Sequence, residues 1–318
     1  MKFQHILCDI SNMYHKNWHT NNHLTTKLDD GTDLVTGGVY GTIKSINKLE
    51  REHGGENCQI YLLFDNASSG PTKRKIIDPD YKANRDKKDH TFYKGLDYLR
   101  FILMNYKDNF TVVYRPQFEA DDLTLPIVSH IDKNENILLV SEDMDWSRLM
   151  GDNVFWFAKK KVWDVDMFEE HYQFKPNSET VIFYKSIRGD SSDNIPKGIL
   201  GIRENLVQQL IQDYRNVDDM LNNLDSISYL SDKWKDKIRD NKARLKLNSQ
   251  LVDFITTADE NIDEFIFPCE FKPNTLRTLY HALGFAISSF DPRLMKIFPQ
   301  KDSPENFFTF QEIQRSQP

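Results

Sequence analysis

The chain has 318 residues, 39% hydrophobic and 12% aromatic, which excludes a disordered polypeptide and leaves room for one large or two moderate domains. Cys8, Cys58 and Cys269 have neither paired nor metal-type spacing, which argues against a disulfide scaffold and for a reducing compartment. A net charge of −7 and an isoelectric point near 5.7 weigh against a polyanionic partner, as long as the acids are spread evenly.

They are not evenly spread. Residues 3–10 read as a buried strand ending in Leu7-Cys8-Asp9, and 58–65 as a second ending in Leu63-Phe64-Asp65. Between them, Val39, Ile43, Ile46 and Leu49 have helical spacing and predict a crossover helix over 37–50. A basic loop from Pro71 to Asp89 precedes a helix over 91–104. A strand over 110–114 leads into Phe118-Glu119-Ala120-Asp121-Asp122, which is expected to open a helix over 119–131. Strands over 136–141 and 154–158 follow, the first running into Ser141-Glu142-Asp143-Met144-Asp145. This alternation predicts an α/β fold with a central, mostly parallel, twisted sheet and flanking helices.

After residue 178 helical periods dominate, at 181–187, 206–214, 217–224, 234–255 and 275–283. The expected division is therefore an α/β domain over 1–178, carrying a basic arch at 71–105, a helical region over 179–298, and a tail over 299–318. That tail is polar apart from Phe307, Phe308 and Phe310, and is expected to dock on the body, lie disordered or meet a partner. The N-terminus lacks a secretion signal and no apolar run approaches the ~20 residues that span a bilayer. A soluble, cytoplasmic protein is expected.

Ligands bind outside the carboxyl ends of strands in open α/β sheets, so acids placed there would converge. Asp9, Asp65, Glu119, Asp121, Asp122, Asp143 and Asp145 stand at such ends, and Asp190 and Asp193 follow a helix in Gly189-Asp190-Ser191-Ser192-Asp193. Setting those nine aside turns −7 into +2. Crowded carboxylates repel and raise one another's pKa, and hard divalent cations such as Mg2+ or Mn2+ relieve that. Each cluster alone has a plainer reading as helix-start or turn chemistry; their recurrence favours a metal centre acting on phosphate. His15, His19 and His23 have the spacing of a zinc-binding helix face, but Thr20, Asn21 and Asn22 disfavour a helix there.

Tyr81-Lys82-Ala83-Asn84-Arg85, the Glu119–Asp122 acids, Ser141-Glu142-Asp143-Met144-Asp145 and Gly189-Asp190-Ser191-Ser192-Asp193-Asn194-Ile195-Pro196 occur in that order. Over residues 3–290 the chain resembles the structure-specific 5′ nucleases: the 5′→3′ exonuclease domain of bacterial DNA polymerase I, flap endonucleases, and stand-alone phage-type enzymes including those called ribonuclease H. It is most similar to the stand-alone form. The resemblance implies a PIN-like α/β domain and two metal ions. Asp9, Asp65, Glu119, Asp121 and Asp122 correspond to the first metal cluster, and Asp143, Asp145, Asp190 and Asp193 to the second.

It further implies catalytic roles for Lys82 and Arg85 beneath a helical arch, with Tyr81 as a stacking platform and Lys87 and Lys88 among the DNA contacts. Ile195–Ile202 resembles the glycine-rich turn of the family's helix–three-turn–helix, which grips duplex phosphates and a K+ ion, and makes Lys197, Gly198, Gly201 and Arg203 candidate DNA contacts. An inserted Lys197, Arg203 in place of a third glycine and Asn205 in place of a base count against the K+ site. The implied substrates are 5′-ended or branched DNA and RNA–DNA hybrids, cut by a monomer during primer or flap removal, with a single-strand-binding protein or sliding clamp as candidate partners. Two rivals are a PIN-type single-strand ribonuclease and a catalytically silent DNA-binding homologue.

Overall fold

The computed structural model describes residues 1–28, 31–65, 70–86, 88–286 and 292–297; the expectations for Lys87 and for the aromatic tail fall outside them. The first half runs β1 (Phe3–Asp9), α1 (Ile10–Thr20), β2 (Thr25–Lys27), β3 (Asp33–Val35), α2 (Gly37–His53), β4 (Gly54–Leu63), α3 (Lys73–Ile77), α4 (His90–Met104) and β5 (Phe110–Val113). Next come α5 (Thr124–His130), β6 (Ile137–Val140), β7 (Val154–Ala158), β8 (Lys161–Trp163), α6 (Val165–Tyr172) and α7 (Ser178–Arg188). The remainder is α8 (Glu204–Asp213), α9 (Val217–Asn222), α10 (Asp232–Asp240), α11 (Lys242–Val252), β9 (Ile266–Pro268), α12 (Pro273–Ala282) and α13 (Pro292–Ile297). The described residues form two compact units, neither contiguous in sequence: those of 1–65, 88–114 and 263–297, and those of 70–86 and 115–262.

In the first unit β1, β4 and β5 are parallel neighbours and β9 adds antiparallel to β5. Asp9 pairs in register with Leu63, so the ends of β1 and β4 that carry Asp9 and Asp65 lie together. The short hairpin β2–β3 escapes a period-based reading because three-residue strands hold less than two alternations.

Helix α1 carries His15 and His19 against the expectation of an irregular segment, but it ends at Thr20 and leaves Asn21, Asn22 and His23 in a turn. Asp9 caps it, accepting from the Asn12 N–H at 2.9 Å, and the Asn17 carbonyl is bonded by the Asn21 N–H at its end. Its buried Tyr14 fills a notch: a Cβ on Gly38 would stand 2.5 Å from the Tyr14 ring, and one on Gly95 2.2 Å from its hydroxyl. That hydroxyl donates to the Phe92 carbonyl at 3.1 Å. Tertiary packing thus overrides weak local propensity.

In the second unit β6 and β7 are parallel and β8 is antiparallel to β7. The expected helix over 119–131 begins only at Thr124, and Glu119–Leu123 make successive i→i+3 turns instead. Pro126 explains the delay: it has no N–H to give the Asp122 carbonyl, and its ring would crowd that carbonyl in a continuous helix. The hydroxyl of Thr256 bonds that carbonyl in its place. The expected single helix over 234–255 is two, because the Asn241 side chain donates to the Lys237 carbonyl at 2.8 Å and diverts the ladder.

The segment between α7 and α8 is held tightly. Asp190 and Ile195 exchange backbone hydrogen bonds at 2.9 and 2.8 Å, closing the loop that carries Asp193. Asn248 of α11 donates to the carbonyls of Ser186 and Pro196 at 3.0 and 2.8 Å. A Cβ on Gly198 would lie 2.2 Å from the Ser186 carbonyl oxygen. Gly198→Ala is therefore expected to lower unfolding stability by about 1–3 kcal/mol through overpacking, read by urea denaturation; an unchanged midpoint would show that the backbone gives way freely.

Candidate active site

Seven of the nine acids singled out by sequence belong to the second unit, and they are joined there through buried cations. Arg74 of α3 is 1% exposed. Its Nη1 donates to Glu119 Oε2 at 3.2 Å and Asp122 Oδ2 at 2.8 Å, and its Nη2 to Asp122 Oδ1 at 2.8 Å and Asp121 Oδ2 at 3.0 Å. Nε and Nη2 also reach the carbonyls of Leu251 at 2.8 Å and Asp253 at 3.1 Å. Arg148, buried over the Phe254 ring, reaches Asp121 Oδ2 at 2.7 Å and the Val252 carbonyl.

Lys185 serves the other acids. Its Nζ lies 3.3 Å from Asp143, 2.5 Å from Asp145 and 2.8 Å from Asp190. Asp143 also caps the 3-10 turn of Met144–Leu149, accepting from the Asp145 N–H at 3.0 Å. Arg148 joins the two groups, its Nε donating to the Asp145 carbonyl at 2.7 Å while Nη2 holds Asp121. Tyr81 adds Asp193: its hydroxyl is 2.8 Å from both Glu119 Oε2 and Asp193 Oδ2. Lys82 Nζ bonds Glu119 Oε2 at 2.7 Å, and Arg85 Nη2 bonds Asp193 Oδ1 at 2.6 Å.

Seven carboxylates therefore share five cations, a formal charge of −2 with every group ionised. The expectation that divalent cations relieve the crowding is therefore incomplete: the protein supplies most of the compensation itself. Among the described residues, no three His, Cys, Asp or Glu side chains are arranged to hold a metal ion as they stand. The donor set is nevertheless all oxygen, the type hard divalent cations prefer.

Electrostatics follow from this packing. Burial pushes the Asp145 carboxyl from its usual 3.8 up to about 7, outweighing Lys185. For Asp190, burial is outweighed by Lys185 and by the Ser192 donors, and it falls to about 2. Burial raises Asp122 to about 6 against the pull of Arg74, while Arg74 and Arg148 overcome burial and lower Asp121.

Asp9 and Asp65 belong to the first unit. Asp9 caps α1, and the Asp65 N–H donates to Ser11 Oγ at 2.9 Å. Of the other sequence candidates, Tyr81 is not an open stacking platform: it is 2% exposed and packed with Ile195, Leu251 and Val252. Lys82 is half-buried, with a left-handed φ of 54°, and Arg85 is exposed. Lys88 lies half-buried with Nζ 3.4 Å from His19 Nε2. Lys197, Gly201 and Arg203 are exposed, whereas Gly198 is buried against α7. On α1, His15 and His19 meet with Nε2 atoms 3.3 Å apart.

Arg74, Arg148 and Lys185 were not singled out by sequence. Lys185 had a legible signal, standing four residues after Val181 on the apolar stripe of α7, where a charge requires a buried partner. Arg74 had none, lying between Lys73 and Lys75 in a run that reads as solvated.

The profile of the 5′-3′ exonuclease N-terminal resolvase-like domain matches residues 4–173, and that of the 5′-3′ exonuclease C-terminal SAM fold matches residues 176–271. The chain belongs to the 5′-3′ exonuclease family, and is a nuclease with a mixed, mostly parallel sheet flanked by helices and a helical C-terminal region. A 5′-3′ exonuclease of Mycoplasmopsis pulmonis is 27% identical over 237 residues, 74% of this chain and 77% of the relative. DNA polymerase I of Caldicellulosiruptor bescii is 30% identical over 63% of this chain, but the match spans only 24% of that polymerase.

Among solved structures, a T5 5′-exonuclease with bound zinc has a TM-score of 0.58 at 20% identity, over 92% of this chain and 96% of that one. A phage T5 flap endonuclease complexed with DNA and metal ions has 0.59 at 20%, over 93% and 99%. The catalytic core of Rad2 with DNA substrate has 0.56 at 12%, over 93% of each chain.

Burial favours protonated Asp145 in the fold, so the stability it contributes in metal-free protein is full below pH 3.8 and lost as pH rises through about 7. Asp145→Asn is accordingly expected to gain in Tm relative to wild type between those limits, measured in chelator; a pH-independent difference would contradict a raised Asp145.

Proposed function

We propose that this nuclease is a divalent-metal-dependent, structure-specific 5′ nuclease that hydrolyses phosphodiesters near 5′ ends and single-strand/duplex junctions of DNA. RNA–DNA hybrids are a second substrate class, and primer or flap removal in the cytoplasm is the setting. The observation that carries this reading is a pair of linked groups, Glu119, Asp121 and Asp193 with Lys82 and Arg85, and Asp143, Asp145 and Asp190 on Lys185, joined where Arg148 bonds both Asp121 and the Asp145 carbonyl. The metal-bound and DNA-bound states of the structural neighbours support it.

Glu119 and Asp121, with Asp143, Asp145, Asp190 and Asp193, are the candidate ligands of the second unit; Asp9 and Asp65 of the first are candidate ligands on the family resemblance alone. Divalent ions held by these carboxylates would activate water as the nucleophile at neutral pH and would offset charge on the scissile phosphate. The chain's own part is to bind and orient. Lys82 and Arg85, now on Glu119 and Asp193, are positioned to turn to a phosphate once other cations take up the carboxylate charge. A cleft lined by Asn84, Tyr184, Arg188, Asn194, Pro196 and Lys197 adds two cations for the nucleic-acid backbone.

The test is a product ladder on a 5′-labelled flap carrying an RNA segment. Products at the junction are expected with Mg2+ and none in EDTA, and equal cutting of unstructured RNA would point to a PIN-type ribonuclease instead. Lys82→Ala should slow single-turnover cleavage by about 10²–10³ while weakening DNA binding far less. Equal losses in both would reduce Lys82 to a phosphate clamp.

A further inference from the structure

The three carboxylates around Arg74 are not equivalent. A carboxylate has about four acceptor sites. Asp122 fills them: Oδ1 accepts from Arg74 Nη2 at 2.8 Å and the Ile255 N–H at 3.1 Å, and Oδ2 from Arg74 Nη1 at 2.8 Å and the Glu119 N–H at 3.1 Å. Its side chain is 1% exposed. Glu119 and Asp121 are held differently. The inner donors converge on one oxygen of each, Oε2 of Glu119 and Oδ2 of Asp121, leaving Oε1 and Oδ1 outside this network.

We infer that Asp122 is not a metal ligand but, paired with Arg74, a positioning residue that holds Glu119 and Asp121 with one oxygen each turned to the metal. The inference rests on the divalent-metal reading and departs from the expectation that all five first-cluster acids are ligands. Asp122 also fixes the turn itself, through its bond to the Glu119 N–H three residues back. Arg74 ties that turn to the carbonyls of Leu251 and Asp253 beyond α11. The basic segment is therefore anchored at its base to the same residues that are to receive the metal. Partners of this kind around a metal centre change affinity by about 10–100-fold without changing how many ions bind.

Two measurements test this. The first counts Mn2+ ions bound to the full chain by calorimetry and electron paramagnetic resonance. Asp122→Asn is expected to bind as many Mn2+ ions as wild type, about 10–100-fold more weakly, whereas Asp121→Asn loses an ion. Arg74→Lys should recover part of the affinity that Arg74→Met loses, which a purely space-filling role does not predict. Loss of one ion from Asp122→Asn, matching Asp121→Asn, would overturn the inference.

The second measurement is a thermal double-mutant cycle in EDTA with Arg74→Met and Asp122→Leu. Each single change should lower Tm by leaving a buried charge unpaired, and the double variant should regain most of the loss; additive losses would overturn the pair. Because this cycle needs no metal, it separates the pair from the nuclease reading. A wild type that binds no Mn2+ would overturn the positioning role together with that reading, while the cycle would still report on the pair.

Discussion

Seven crowded carboxylates, four of them buried and three partly so, cannot persist without positive charge among them, and that requirement organises the second unit. Desolvating each ion costs several kcal/mol, recovered only where opposite charges and hydrogen bonds are closely placed. Arg74 and Arg148 meet the need for Glu119, Asp121 and Asp122, and Lys185 meets it for Asp143, Asp145 and Asp190. Each cation reaches from a different element, so satisfying the acids also fastens α3, the Met144–Leu149 turn and α7 to one another.

The same balance bears on function. Five cations against seven acids leave the network short of neutrality, and the cations differ in how firmly they are held. The two arginines are buried and also bound to backbone carbonyls at 251–253, so they are fixed parts of the scaffold. Lys82 is partly exposed and Arg85 half exposed, so each can change partner at small cost. In the proposed mechanism that division separates the groups that shape the site from those that meet the substrate.

Much of this was legible in the chain, for definable reasons. The longer strands and the helices α2, α4, α7 and α12 announced themselves by apolar period, and the acids by recurring at strand ends. Helix α1 was hidden because its stability comes from Tyr14 seated between Gly38 and Gly95, far apart in sequence. The late start of α5 turned on Pro126, which could have been weighed. The role of Arg74 could not be read, since nothing in Lys73-Arg74-Lys75 distinguishes the residue that turns inward from its neighbours. Tyr81 looked like a surface aromatic beside bases and is instead a buried hydrogen-bond bridge.

The central claim is that these carboxylates are kept assembled by the protein's own cations and open to divalent ions. A crystal soaked in manganese, examined by anomalous scattering, tests it most directly. The account expects peaks against Glu119 and Asp121 and among Asp143, Asp145, Asp190 and Asp193, with the Lys185 ammonium drawn away from at least one of its three acids. Absence of peaks, with Lys185 still seated on all three, would contradict it.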